Sequence, residues 1–190
     1  MRTALVLVGT LLLAAACGGN STTTPGDATP PAQEPPPLAG ASCDLQTGGD
    51  EDAAMFLTDV QVTAHPGFER VVFEFEPREG EPAVVPFHEV GQVDPPLVED
   101  PSGEELDVEG EAFLSAVIWA SGVDLSGETF REVYTGPDSI KPTDTDVIAE
   151  VREGGDFENT MSWYVGLDAS ACFLVSTQSD PVRIVLDVAT

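Results

Sequence analysis

The chain has 190 residues, of which 34 are Asp or Glu and only 7 are Lys or Arg, giving a formal net charge of −27 at pH 7. A surface this negative repels nucleic acid, anionic lipid headgroups and phosphate-rich polymers, which excludes them as partners and favours cationic or neutral ones. Three cysteines and two histidines leave little material for a metal centre or a catalytic pair.

The first element in chain order is a leader. Met1 and Arg2 give a short basic start, residues 4–13 an apolar core, and Ala14-Ala15-Ala16-Cys17 a small-residue cleavage site with cysteine just beyond it. This pattern predicts a signal peptide over 1–16, too short to span a bilayer. A cysteine at this place is also where a bacterial lipobox is acylated, so Cys17 is the expected lipidation site and the mature chain an anchored lipoprotein on the extracytoplasmic face of the membrane. The alternative is an ordinary signal peptide with an incidental cysteine.

Residues 17–42 follow as a Pro-, Thr- and Gly-rich stretch that includes Pro25, Pro30, Pro31 and Pro35-Pro36-Pro37, a composition that predicts a disordered tether. Once Cys17 is acylated the remaining cysteines are even in number. Cys43 and Cys172 then form a disulfide in an oxidising compartment, or stay as two buried thiols.

Residues 43–190 have the length of one domain with a substantial core. In 70–76, Val71, Phe73 and Phe75 alternate with Val72, Glu74 and Glu76, the period of a half-buried strand. Met161, Trp163, Val165 and Leu167 alternate in the same way, as do Val182, Ile184, Leu186 and Val188. Further strands are expected over 56–63, 83–90, 113–119, 146–152 and 172–177. Turn signals separate them: His65-Pro66-Gly67, Pro95-Pro96, Gly136-Pro137-Asp138, Gly154-Gly155-Asp156 and Ser179-Asp180-Pro181. Eight short strands predict an all-β, two-sheet sandwich or a barrel. The segment Arg70-Val71-Val72-Phe73-Glu74 has an echo in Arg183-Ile184-Val185-Leu186-Asp187: a basic residue opens each and an acid stands fifth. Arg70 or Arg183 paired with a strand carboxylate would be structural.

The residues that could carry chemistry are few. No HExxH, GxSxG, GxxxxGKS or GxGxxG motif occurs, so no enzyme activity, cofactor or metal is expected. His65 lies in a Pro-Gly turn, where a hydrogen bond that fixes the turn is expected, and His88 shares a strand with Val84, Val85 and Phe87, where packing is expected. Glu99, Asp100, Glu104, Glu105, Asp107, Glu109 and Glu111 crowd one segment. They lack the EF-hand pattern, and a solvated acidic loop is the expected reading over a calcium site.

Aromatic residues are the better binding candidates. Trp163 and Tyr164 are adjacent on a strand and so face opposite ways, Trp163 toward the core. Tyr164, beside Ser162 and the bare Gly166, either receives a sugar or peptide or packs under a loop. Tyr134 and Arg131, near the Gly136-Pro137 turn, form a second candidate ligand-binding patch.

His65-Pro66-Gly67-Phe68-Glu69-Arg70-Val71-Val72-Phe73-Glu74-Phe75, Tyr134-Thr135-Gly136-Pro137, Gly155-Asp156-Phe157-Glu158 with Trp163 and Gly166-Leu167, and Asp180-Pro181 with 183–188 together resemble the AMIN-like domain of actinobacterial lipoproteins. The resemblance implies an AMIN-like β-sandwich over 43–190, related to modules that localise peptidoglycan amidases or dock secretins and that do no chemistry. It implies a non-catalytic cell-envelope lipoprotein that binds a wall component such as peptidoglycan. The alternative is a docking or scaffold lipoprotein that recruits another envelope protein.

Overall fold

The computed structural model describes residues 38–190 apart from Glu128. The expected signal peptide, Cys17 and most of the expected tether lie outside the described residues. Every regular element among the described residues is a strand: β1 Gln46–Gly48, β2 Met55–His65, β3 Phe68–Pro77, β4 His88–Val93, β5 Ala112–Ile118, β6 Val123–Asp124, β7 Arg131–Glu132, β8 Ser139–Ile140, β9 Ile148–Phe157, β10 Thr160–Leu167, β11 Phe173–Ser179 and β12 Val182–Ala189. They form a six-stranded sheet ordered β1-β4-β5-β10-β9-β8, a four-stranded sheet ordered β11-β12-β3-β2 and a small β6-β7 ribbon. All ladders between these strands are antiparallel.

Alternation sets which face of each sheet is buried. From the four-stranded sheet Val71, Phe73, Phe75, Ile184 and Leu186 enter the core. From the six-stranded sheet come Leu114, Ala116, Ile118, Val151, Trp163 and Val165. Phe73 and Trp163 meet edge to face with ring centroids 6.0 Å apart. The result is the two-sheet sandwich that the strand pattern predicts.

The echo between 70–74 and 183–187 is a consequence of pairing. β3 and β12 are neighbours, and their register sets Arg70 opposite Asp187 and Arg183 opposite Glu74. The Arg70 guanidinium donates through Nε and Nη2 to the two Asp187 oxygens at 2.6 and 2.9 Å, and Arg183 Nε donates to Glu74 at 2.7 Å. The Arg70 pKa is raised, chiefly by its hydrogen bond to Asp187. A motif with a cation first and an acid fifth is complementary to its own antiparallel copy, so two similar strands satisfy one another's charges.

Two departures from the expected strands have local causes. Residues 83–87 form no strand ahead of His88, because Pro86 cannot donate to a ladder and the segment pairs instead with Asp50: Asp50 N–H donates to Val85 O and Phe87 N–H to Asp50 O. Gly154-Gly155 does not end a strand but lies inside β9 as a bulge, Ser162 pairing with Gly155 and Trp163 with Glu153.

Cys43 and Cys172 are bonded, as cysteine parity suggests. At a sequence separation of 129 the crosslink contributes about 5 kcal/mol in the chain-entropy model. Ser42, assigned by composition to the tether, is docked beside it: Ser42 N–H donates to Phe173 O at 2.9 Å and Phe173 N–H returns to Ser42 O at 3.1 Å. The Gln46 side chain donates to Phe173 O and accepts from Val175 N–H, which ties β1 to the edge strand β11 across the sandwich.

Candidate ligand-binding groove

Tyr164 takes the packing alternative. Its ring is 8% exposed and lies under the segment that joins β4 to β5, with Leu97 and Val108, while its hydroxyl donates to Val98 O at 2.9 Å. The surface beside Gly166 is filled by the chain itself: a Cβ on Gly166 would sit 1.8 Å from Glu109 O, and one on Gly155 would sit 2.0 Å from Asp100 O. The acidic segment is therefore a strap laid flat on the outer face of β9 and β10. Its carboxylates point to solvent as expected, and Leu97, Leu106 and Val108 point inward. Sequence reasoning missed the strap because its apolar residues are spaced irregularly among acids; the bare glycines on two neighbouring strands were the available signal. Among the described residues no group of three or more His, Cys, Asp or Glu is placed to hold a metal ion.

Tyr134 also packs. Its ring meets Trp163 edge to face at 5.6 Å, its hydroxyl donates to Pro137 O at 2.9 Å, and Gly136 leaves room for it. Burial, with the charges of Glu153, Asp59 and Asp138, raises its pKa to about 12, so it stays neutral. His88 is buried and its Nδ1 lies 2.9 Å from Pro86 O. His65 stacks on Phe68 at 4.7 Å and lies 3.0 Å from Thr63 Oγ1.

Arg131 stands apart from Tyr134 in a different constellation. Alternation turns Phe56 away from the core that Met55 and Leu57 enter, yet its ring is only 4% exposed. Two guanidiniums cover it, Arg78 at 4.8 Å and Arg131 at 5.8 Å from the ring centroid. Arg78 comes from the chain just after β3, where Arg78 N–H donates to Ala54 O. Arg131 comes from the β6-β7 ribbon, held by Asp124 Oδ2 at 3.1 Å. Two hollows of about 530 Å³ each meet along Phe56, Arg78, Asp124 and Ser126. The first is walled by Ser121, Asp156 and Asn159 and capped by Leu125 and Phe157, which are 71% and 45% exposed. The second is walled by Glu76, Glu79, Glu81 and Arg131. A smaller cavity of about 170 Å³ beside Gln92 and Phe113 has acids but no Lys or Arg in its lining.

The groove floor is pre-organised by two carboxylates. Asp156 accepts from Ser121 Oγ at 2.9 Å and Gly122 N–H at 2.7 Å. Burial pushes its pKa up, opposed by those hydrogen bonds and by the Arg78 charge. Asp124 accepts from Ser126 through both hydroxyl and N–H and from Arg131, which hold it down at about 2. Next to the bulge, Glu153 is pushed up to about 7 by burial and by Asp138 and Asp156. No motif in the sequence singles out Arg78, because nothing local marks an arginine that meets Phe56 only through strand pairing; Arg131 is marked by its proximity to a turn.

The AMIN-like domain model matches residues 55–190, and the chain belongs to the AMIN-like domain family. No curated protein and no solved structure matches the chain. β1 and Cys43 precede the matched segment, so the disulfide sews an N-terminal extension onto the family domain.

Proposed function

We propose that this chain is a lipid-anchored envelope module that binds peptidoglycan at the Phe56 groove and catalyses nothing. Membership of the AMIN-like family supports an envelope-associated binding role. The leader, with Cys17 as its acylation site, supports anchoring on the extracytoplasmic face of the membrane. The observation that carries the reading is the groove itself, where Arg78 and two hydrogen-bonded carboxylates, Asp124 and Asp156, meet the exposed apolar side chains of Leu125 and Phe157.

The test is co-sedimentation of the full-length chain, in detergent, with purified peptidoglycan. Pelleting with the wall polymer at low and at physiological salt is expected. A chain that stays in the supernatant across salt concentrations would contradict the reading. A second reading, recruitment of another envelope protein, is favoured by the exposure of Phe130 (61%) and Leu125 close to the groove. It predicts one dominant protein crosslinked in intact cells and no wall-dependent pelleting.

A further inference from the structure

Five of the six Lys and Arg side chains among the described residues have a carboxylate within 4.0 Å: Arg70 with Asp187, Arg131 with Asp124, Lys141 with Glu109, Arg152 with Glu150 and Arg183 with Glu74. Arg78 is the exception: no carboxylate of a described residue lies within 4.0 Å of it. Its Nη2 donates to the neutral side-chain oxygen of Asn159. Its Nε is buried with no acceptor. The buried Nε is out of a ligand's reach, but Nη1 makes no hydrogen bond to a described residue, and a guanidinium over an aromatic ring with no carboxylate of a described residue in direct contact can receive a planar anion at that outer edge. Asp156 lies close enough to feel the Arg78 charge but hydrogen-bonds to Ser121 and Gly122, and Asp124 to Ser126 and Arg131, so neither carboxylate touches the guanidinium. Glu79, Glu81 and Glu158 on the rim are exposed, and they favour a ligand that brings a positive charge with its carboxylate.

We infer that Arg78 receives a carboxylate of a zwitterionic peptide, whose ammonium group faces the rim acids and whose aliphatic part lies against Leu125 and Phe157. This rests on the peptidoglycan reading, in which the peptide stems of the polymer and not its sugars are recognised.

The test is calorimetric titration of the full-length chain in detergent with a muramyl tetrapeptide that carries free carboxylates and a free amine. Parallel titrations use the same peptide with all its carboxylates amidated, and a peptide-free glycan strand. The free tetrapeptide binds, amidation or Arg78→Gln weakens binding about tenfold to a hundredfold, and the glycan gives no heat. Arg78→Lys, which keeps the charge and loses the fork, falls between. Equal affinity for the amidated peptide overturns the inference without any change to the protein. So does unchanged affinity in Arg78→Gln. Pelleting with peptidoglycan but no heat with the tetrapeptide leaves wall binding standing and removes the role of Arg78. Heat that depends on Arg78, without pelleting, keeps the carboxylate site and removes the wall polymer as its source.

Discussion

Glu69 is an acid buried to 2% exposure on β3, and its removal is a stringent test of how the two sheets are joined. Its carboxylate accepts from the backbone of the segment that leads into β9: Asp146 N–H at 2.5 Å, Val147 N–H at 3.1 and 3.2 Å, and Ile148 N–H at 2.7 Å. Each is a hydrogen bond to a charged acceptor, worth about 1.5 to 3 kcal/mol in isolation. They are not additive, because Asp146 is exposed and Val147 half-buried, and water can replace the lost acceptor there. Ile148 is buried and its N–H stays unmet, which alone costs about 1 to 3 kcal/mol. Glu69→Ala is therefore expected to destabilise by about 3 kcal/mol in all. Glu69→Gln keeps one oxygen acceptor and costs about half of that. Urea denaturation of the full-length chain, followed by tryptophan fluorescence, measures both from the shift in midpoint at constant slope. A loss below about 1 kcal/mol for Glu69→Ala would refute the reasoning, since it would mean that the 146–148 turn holds without its acceptor.

Gly166→Ala places a Cβ against the backbone of Glu109 and should lift the strap, at a cost of about 2 kcal/mol, with faster amide exchange at Leu106 and Val108; unchanged exchange would show that the strap is not seated as described. Glu153 has a folded pKa of about 7, above its ordinary value, so the folded state holds its proton more tightly than the unfolded chain. Its contribution to stability is then fully present below about pH 4.5 and is lost as pH rises through 7. After allowance for solvent screening, Glu153→Gln should be about 1 kcal/mol more stable than the wild type at about pH 8 and no different at about pH 4, measured by denaturation at the two pH values. The whole surface carries excess negative charge, so the melting temperature should rise from low to molar salt; the same temperature in both would count against self-repulsion as a cost to the fold.

Most of the sandwich was legible because alternation is a local signal. Val71, Phe73 and Phe75, or Val182, Ile184 and Leu186, announce a buried face within one strand. The echo of Arg70 and Glu74 in Arg183 and Asp187 could be seen, but its meaning required the register between β3 and β12. The short strands β1, β6, β7 and β8 could not be read, since two or three residues carry no period. The candidate site was legible only at Arg131. The bare Gly166 beside Tyr164 leaves a surface role and packing under a loop both open, and the strap that decides for packing comes from more than 50 residues earlier in the chain. Phe56 and Arg78 meet through tertiary placement, with a cation over a ring that alternation alone would leave in water.

Hydrogen exchange of the full-length chain with and without a soluble peptidoglycan fragment tests the central claim most directly, because it reports where binding occurs. Slowed exchange is expected in Met55–His65 near Phe56, at Arg78 and through Val123–Asp124 to Ser126, with no change at the strap over Tyr164. Protection confined to the outer face of β11, β12 and β3, or none at a saturating concentration of fragment, would contradict it.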